Sequence, residues 1–496
     1  MPPPPFSLGV ASVTSDSQLK QPPRPATTLR FPPTPFWLIS AVLVGLLWGL
    51  QALRHVLLHS AGWDLGIYDQ VAWQMSQGLE PRSTLLGLHH MGNHGAWMFY
   101  AIAPLYRLAP SVHWLFLTQA LGLILTAWPL WHLGAQAGLK SRERWLICGL
   151  WWLQPVVFNA SFVVDFRPET WAMPLLALAI WASRAERRWL WLFCLFVMMG
   201  CRDGLGLIVV GLALEQGYRR RWRWAGEALL LGGGWLLFLA KGLYPVLNNG
   251  VGPAALGRYQ HLGDGVGDIL RNAFFSPVEF LGALDWVNIV FYLFLLSLPL
   301  AFYWRRYSLP VLIATLPLLI ANGLSSWESQ QDVVHHYNLP LAVLLVVASM
   351  DGLTADLRQG RLWLTQRLWF CYFWATLSWA LLAKPGYFFD RYLSRVDQVE
   401  TAQEAIAKVP GNSAVLTHDY LVPHLSHRPL IESPSRERLP TAEQLARLDV
   451  VLLNPDSPGK LSREHATAII NSIQDLGWSC QQEDKSDQFI LCQKLF

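Results

Sequence analysis

About eleven apolar runs of near membrane-spanning length decide what this 496-residue chain can fold into. They fall at roughly 36–57, 111–134, 145–163, 170–183, 189–201, 204–217, 225–246, 286–303, 308–323, 337–350 and 364–384, against the ~20 residues a helical crossing needs. Hydrocarbon offers no water to backbone N–H and C=O groups, so such runs close their hydrogen bonds internally and become helices. The expected fold is an all-α polytopic transmembrane bundle. With 53% hydrophobic and 15% charged residues, 26 Trp and 23 Phe, the chain is too apolar for a soluble domain of its size. Its net charge of +4 is small and scattered, which argues against a nucleic-acid partner and leaves membrane lipid as the surrounding medium.

The flanking segments differ in character. Residues 1–35 carry Pro2 to Pro5, Pro22, Pro23, Pro25, Pro32, Pro33 and Pro35 with several Ser and Thr, too polar for a signal-peptide core, and read as a disordered cytoplasmic tail. Residues 36–385 form the expected transmembrane part, with large external loops at 58–110 and 247–285. From about residue 386 the composition turns soluble: Gln398–Lys408 and Ser462–Leu476 read as helical, Ala414–His418 and Asp449–Asn454 as extended. That alternation predicts a small α/β domain over 386–496 with a binding or structural role, since no Gly-rich phosphate loop is present. Of six cysteines, Cys148, Cys194, Cys201 and Cys371 lie in or at spans and act as small apolar residues. Cys480 and Cys492 flank a terminal hairpin, where a disulfide and an unpaired strand cysteine both fit.

Basic residues orient the bundle. Lys20, Arg24 and Arg30; Lys140, Arg142 and Arg144; Arg184, Arg187 and Arg188; Arg219 to Arg221 and Arg223; Arg305 and Arg306; and Arg358, Arg361 and Arg367 mark alternate connections. With the N-terminus inside, all of them are cytoplasmic, as the positive-inside rule requires of a cell-membrane protein. The opposite, external side then receives Asp64 and Asp69; His89, His90 and His94; Asp165-Phe166-Arg167-Pro168-Glu169; Arg202-Asp203-Gly204; and His335-His336-Tyr337. An alternating-access transporter would hold such groups near the midplane of inverted repeats, whereas here they gather on one surface. The C-terminal segment follows an odd number of spans and is expected to be external.

Two short features shape that surface. Residues 94–109, broken by Pro104 and closed by Pro110, read as an interfacial or re-entrant helix. The pair of runs meeting at Arg202-Asp203-Gly204 has about twelve apolar residues on each side, and twelve helical residues cover only ~18 Å, so Asp203 is expected at the floor of an externally open cavity.

The stretch Asp64-Leu65-Gly66-Ile67-Tyr68-Asp69-Gln70 with Ala72-Trp73, Asn93-His94, Ala103-Pro104-Leu105-Tyr106, Asp165 to Glu169, Arg202-Asp203, His336-Tyr337 and Pro423 to Arg428 resembles a bacterial and archaeal family of predicted membrane proteins of unknown function. The resemblance covers most of residues 36–455, and its DLG-aromatic-DQ motif is the most specific part. The family in turn looks like a remote relative of the GT-C glycosyltransferases, integral membrane enzymes that take sugar from a polyprenyl-phosphate donor on the external side. What the resemblance implies for Asp64 is the place of the acidic residue in the first external loop, which serves those enzymes as catalytic base or metal ligand. Many of them set two acidic residues side by side, whereas here Asp64 and Asp69 are five apart, and Arg167 stands where a DFHPE-like stretch has His.

Glycosyl transfer with inversion needs a base for the acceptor proton and positive charge for the leaving phosphate. Asp64 and Asp69 are the candidate catalytic residues, set against the bland reading of helix caps near Ile67. Arg167 and Arg202 are candidate phosphate clamps, because guanidinium offers bidentate hydrogen bonds, or else neutralise Asp165, Glu169 and Asp203 beside them. Asp165, Glu169, Asp203, His94, His336 and Tyr337 complete the candidate substrate-binding set. No cofactor is assigned; a divalent metal held by His89, His90 and His94 with Asp64 or Asp69 is an open alternative. The leading expectation is a membrane glycosyltransferase moving sugar from a polyprenyl-phosphate donor to an external acceptor. Its rival is a non-catalytic envelope assembly subunit, or a transporter or flippase of lipid-linked substrates. The enzyme reading requires Asp64, Asp165, Glu169, Asp203 and His336 to converge on one external cavity.

Overall fold

The computed structural model describes residues 31–250, 252–456, 459–482 and 488–494. The Pro-rich tail therefore falls outside the described residues up to position 30. The chain is mostly helical. Among the described residues four helices are long and apolar enough to cross a membrane: Thr34–Val56, His113–Ala137, Trp222–Leu247 and His336–Arg358. A fifth arises if Ser141–Trp152 and Pro155–Phe162, bent by 43° at the break before Pro155, count as one span. Other apolar runs, among them Arg188–Met199, Leu205–Tyr218 and Trp286–Ser297, form shorter helices, so length alone does not make them crossings. Prolines and tight tips cut these runs, because a proline opens a helix far more readily than it continues one.

The first helix shows how the pattern places its side chains. Its buried residues Phe36, Ser40, Val44, Leu47, Gln51 and Arg54 recur at helical spacing along one face. Leu38, Ile39, Val42 and Leu46 look outward, as a lipid-facing stripe does. The buried face ends in two polar residues, so Gln51 and Arg54 are delivered into the interior at the end of the helix. At the centre, Leu339–Arg358 is apolar almost all round and buried over nearly its whole length. Its N-terminal turn, His336–Asn338, is fixed by a buried network in which the Tyr292 hydroxyl donates to Asn338 Oδ1 at 2.6 Å and Asn322 Nδ2 donates to the same oxygen at 3.1 Å.

Close helix approach elsewhere depends on small residues, as is usual where lipid supplies no hydrophobic drive between helices. A Cβ placed on Gly211 would lie 2.0 Å from the Ala314 carbonyl oxygen, between Leu205–Tyr218 and Leu309–Gly323. Gly211→Ala is expected to force these helices apart at a cost of about 1–3 kcal/mol. The check is the thermal midpoint of the detergent-solubilised protein; an unchanged midpoint would refute the contact.

The C-terminal segment folds as a five-stranded sheet in the order Ile431–Glu432, Val415–Thr417, Val450–Leu453, Ile490–Gln493, Ser479–Gln482. The first three strands are parallel and the last two pair antiparallel. Val450-Val451-Leu452-Leu453 is apolar throughout because both faces are covered. Val450 and Leu452 share one layer with Leu58 and Leu425 toward the helical part, while Val451 and Leu453 pack with Ile469 and Ile473 of the helix Arg463–Asp475. Cys480 and Cys492 face each other across the antiparallel pair and are joined in a disulfide.

Candidate functional site

Just past the first helix the chain makes a five-residue turn, Gly62–Gly66, and enters the helix Ile67–Ser76. Glycine at the turn's first position is a steric demand, because a Cβ on Gly62 would meet Val422 Cβ at 2.8 Å and the Asp419 carbonyl oxygen at 3.0 Å. Asp64 sits in this turn, and Asp69 sits in the helix. Five residues turn roughly 140° around an α-helix, so the two carboxylates diverge.

Asp64 meets Arg167 as an ion pair, with its side chain 35% exposed and that of Arg167 14% exposed. Arg167 comes from the loop after Pro155–Phe162, and its backbone N–H donates to Gln119 Oε1 at 2.8 Å. Gln119 in turn donates to Gln51 Oε1 at 3.0 Å and to the Ala160 carbonyl at 2.9 Å, so the polar end of the first helix holds the loop. Deeper in, Arg202 pairs with Glu169 at 2.7 Å and lies 2.9 Å from His336 Nε2. Tyr337 lies beneath the Arg202 guanidinium at 5.4 Å from its ring centroid. Asp203 takes hydrogen bonds from the Tyr244 hydroxyl at 2.9 Å and the Gly204 N–H at 2.8 Å, with His94 Nδ1 at 3.5 Å. The Tyr68 hydroxyl lies within electrostatic reach of Arg167, Arg202, Glu169 and Asp64, which ties these groups into one cluster.

The electrostatics follow from burial and from two like charges side by side. Burial disfavours the charged form of Arg202, yet Glu169, with Tyr337, Tyr68 and Asp203, together offset it and raise the guanidinium pKa. In Arg167 burial is likewise outweighed by Asp64 together with Tyr68 and Tyr337, although Arg202 opposes them. Burial pushes the Glu169 carboxyl up against the pull of Arg202 and Arg167. Asp203 is buried too, but His94, Arg202 and Tyr244 bring it down to about 2. Arg167 Nε and Glu169 Oε1 are buried with no hydrogen-bond partner among the described residues. The cluster is thus graded from the open Asp64 to the closed Glu169 and His336, with two guanidinium groups between.

Two of the expected site residues go elsewhere. Asp165 faces back toward the first helix and forms a buried ion pair with Arg54, while accepting from the Ala61 N–H at 2.9 Å. Burial pushes its carboxyl up, with Arg54 acting against that. Asp69 is buried against the C-terminal segment: it accepts from the Tyr106 hydroxyl at 2.6 Å, from the Ser426 hydroxyl, and from His427 Nε2 at 3.1 Å. Tyr106 belongs to Ala103–Leu108, which with the turn Trp97–Ile102 occupies the stretch read as interfacial. The histidines do not collect round Asp64 or Asp69 either. His89 Nδ1 accepts from the Met91 N–H, His90 Nε2 lies 3.2 Å from the Ala96 carbonyl, and His94 turns to Asp203. Among the described residues no three His, Cys, Asp or Glu side chains are placed to share a metal.

Tyr68, Tyr244 and Arg54 were not singled out from sequence. Tyr68 lay inside the motif, and its place between two acidic residues was an available signal; Tyr244 lay in an apolar run and offered none.

The Asp69 contact is pH-sensitive in a defined direction. Burial lowers the pKa of His427, but Asp69 outweighs it and raises the value above 6.5. Burial raises the pKa of Asp69, but His427, Ser426 and Tyr106 bring it below 3.8. Stabilisation from His427 is therefore complete below pH 6.5 and lost as pH rises through its raised value; that from Asp69 is present above pH 3.8 and lost as pH falls through its lowered value. Hydrogen-exchange protection of Val422–Leu425 is expected to fall on the alkaline side, and His427→Gln to abolish that fall. A fall of the same size in His427→Gln would assign it to another group.

The fold as a whole is one already seen in a solved protein. The structure matches that of ArnT from Cupriavidus metallidurans bound to undecaprenyl phosphate with a TM-score of 0.55 and 12% identity, covering 93% of this chain and 98% of the other. The apo form of the same protein matches with a TM-score of 0.50 and 12% identity, covering 92% and 98%. The chain belongs to the family described as "Predicted membrane protein (DUF2079)", whose profile matches residues 54–491. No curated protein sequence matches it.

Proposed function

We propose that this protein transfers a sugar from a polyprenyl-phosphate donor to an acceptor on the external side of the cell membrane, with Asp64 as general base. The observation that carries the reading is the pairing of an accessible Asp64 with Arg167, within electrostatic reach of a second buried guanidinium, Arg202. Guanidinium groups gathered in a buried, low-dielectric cluster can exchange a carboxylate partner for a phosphate, and an accessible carboxylate next to such groups is the layout that glycosyl transfer from a lipid phosphate needs. In the step, the acceptor hydroxyl gives its proton to Asp64 and its oxygen bonds to the anomeric carbon. The bond from that carbon to the phosphate oxygen breaks, and the polyprenyl phosphate leaves with the electron pair toward Arg202 and the open edge of Arg167. Glu169, His336 and Tyr337 hold Arg202, while His94 and Tyr244 hold Asp203. Asp165 and Asp69 are positioning residues, one for the loop of Arg167 and the other for the C-terminal segment.

The fold shared with a protein solved with undecaprenyl phosphate supports a lipid-phosphate partner. In the same reading the chain crosses about eleven times, with the tail of residues 1–35 cytoplasmic, the membrane part at 36–385 and an external α/β domain at 386–496. The Cys480–Cys492 disulfide favours that exterior, since oxidising compartments preserve such bonds. A flippase path is disfavoured by the central helix. A polar cavity of about 500 Å³ at the opposite end is lined by Arg184, Arg219, Asp351 and Arg358. Asp351 and His336 are separated by roughly 22 Å of a helix buried among apolar neighbours. The test is mass spectrometry of glycans and lipid-linked sugars in a deletion strain carrying either the wild-type chain or Asp64→Asn. Accumulated donor and a missing glycan with Asp64→Asn are expected; identical pools in the two strains would refute the reading.

A further inference from the structure

Outside the cluster, a cavity of about 920 Å³ lies between the first loop and the C-terminal sheet. It falls near the top of the ~300–1,000 Å³ typical of small-molecule sites. Its position follows from the topology of the sheet. Val415–Thr417 lies between its two successors, Ile431–Glu432 on one side and Val450–Leu453 on the other, and all three are parallel. The chain therefore leaves the first strand in one direction and crosses back over it, making a switch point, and ligands in such sheets bind beyond the carboxyl ends of the strands at that point. His418 and Asp419 follow the first strand, Ser433 to Arg436 follow the second and Lys460 follows the third, and all of them line the cavity.

The chemistry of the walls is specific. Four cations, Arg82, Arg436, Arg447 and Lys460, face two carboxylates, Asp419 and Glu432. The carboxylates are each engaged, Asp419 by Lys460 at 2.7 Å and Glu432 by Arg447 at 3.4 Å. Of the other two cations, Arg82 pairs with Glu80 at 3.6 Å, outside the lining, so the free positive charge is that of Arg436, which is exposed with no hydrogen bond or ion pair among the described residues. Hydroxyl and amide groups from Thr84, Ser435 and Gln444 line the same space. Trp63 adds a 46% exposed indole whose backbone N–H donates to Asp419 Oδ1 at 3.2 Å. Trp63 immediately precedes Asp64, so the cavity begins one residue from the proposed base.

We propose that this cavity binds the acceptor and that the acceptor is an anionic saccharide: the guanidinium and ammonium groups take its acidic substituents, the hydroxyl and amide groups take its hydroxyls, and Trp63 provides the flat face for a sugar ring. The inference rests on the transfer reading above, because it gives the saccharide its role as acceptor. It also explains why the C-terminal segment is locked to the first loop through Asp69 and Asp419, since the two halves of the cavity come from these two parts of the chain.

The test is a titration of the purified full-length protein in detergent with an oligogalacturonate, using a malto-oligosaccharide of the same length as the neutral control. No donor is present, so binding is read apart from transfer. Saturable binding of the acidic oligosaccharide is expected, with Arg436→Lys close to wild type and Arg436→Ala weaker by about tenfold, the loss of one charge-assisted contact. Arg436 is exposed and makes no hydrogen bond or ion pair among the described residues, so its replacement removes no interaction that holds the fold. Equal binding of the neutral chain, no binding, or an Arg436→Ala affinity equal to wild type would each overturn the proposal. Transfer by wild-type protein that does not bind the acidic oligosaccharide would overturn this cavity's role and leave the transfer reading standing. Binding of the expected pattern in a protein without transfer would uphold the cavity and remove the transfer reading.

Discussion

Asp64→Asn is expected to lower sugar transfer by about 10²- to 10⁴-fold, the contribution of a positioned general base. Asparagine keeps the shape and can still occupy the space beside Arg167, but it cannot take the acceptor proton. The variant should remain folded, because the Asp64 side chain is 35% exposed and its partner Arg167 retains its backbone contact with Gln119. The measurement is turnover of a polyprenyl-phosphate sugar by the purified protein beside its thermal midpoint. Loss of turnover with the midpoint kept supports a base; unchanged turnover sinks the assignment. If both fall together, Asp64 acts by holding Arg167 in place. Asp64→Glu then separates the two roles, since a longer carboxylate keeps the ion pair but moves the proton acceptor.

Arg54→Ala is expected to have the largest effect on stability. The pair formed by Arg54 and Asp165 is buried, with side chains 2% and 5% exposed. Removing one partner leaves the other charge without compensation in an apolar surrounding, which costs about 3–5 kcal/mol. The loss is read as a lowered midpoint of thermal unfolding in detergent. Replacing both partners, as in Arg54→Met with Asp165→Leu, should recover much of it, because desolvation had already consumed most of the pair's Coulombic gain. A single variant as stable as wild type would show that Asp165 finds another partner. Loss of activity in the double variant despite recovered stability would show that the pair also sets the position of Arg167, two residues beyond Asp165.

The two predictions separate carboxylates that looked alike in the sequence. Asp64, Asp69 and Asp165 all lie in polar stretches at the ends of apolar runs, yet one faces a guanidinium at the mouth of the cluster, one fastens the C-terminal segment and one anchors a loop to the first helix. Arg167 was legible as a clamp candidate because a guanidinium beside hydrocarbon needs an anion. Its partner was not legible, since the nearer choices were Asp165 and Glu169, whereas the observed one is 103 residues away. Sterics in the Asp165 to Glu169 loop make the choice. The 3-10 turn Pro168–Trp171 points Glu169 toward Arg202, and the Ala61 N–H holds Asp165 toward Arg54.

Sequence by itself determined that the chain is a helical membrane protein and that a segment alternating helix and strand follows the apolar runs. These are properties of local composition: the free energy of placing a residue in hydrocarbon depends on that residue and a few neighbours. Only the tertiary structure decided that Asp64 and Asp69 part company, that Tyr68 and Tyr244 join the cluster, and that the first loop and the sheet enclose a cavity between them. Those outcomes depend on contacts between residues far apart in the chain, 357 positions in the case of Asp69 and Ser426. No local pattern encodes such a contact, because its energy arises only when packing has brought both partners out of water together.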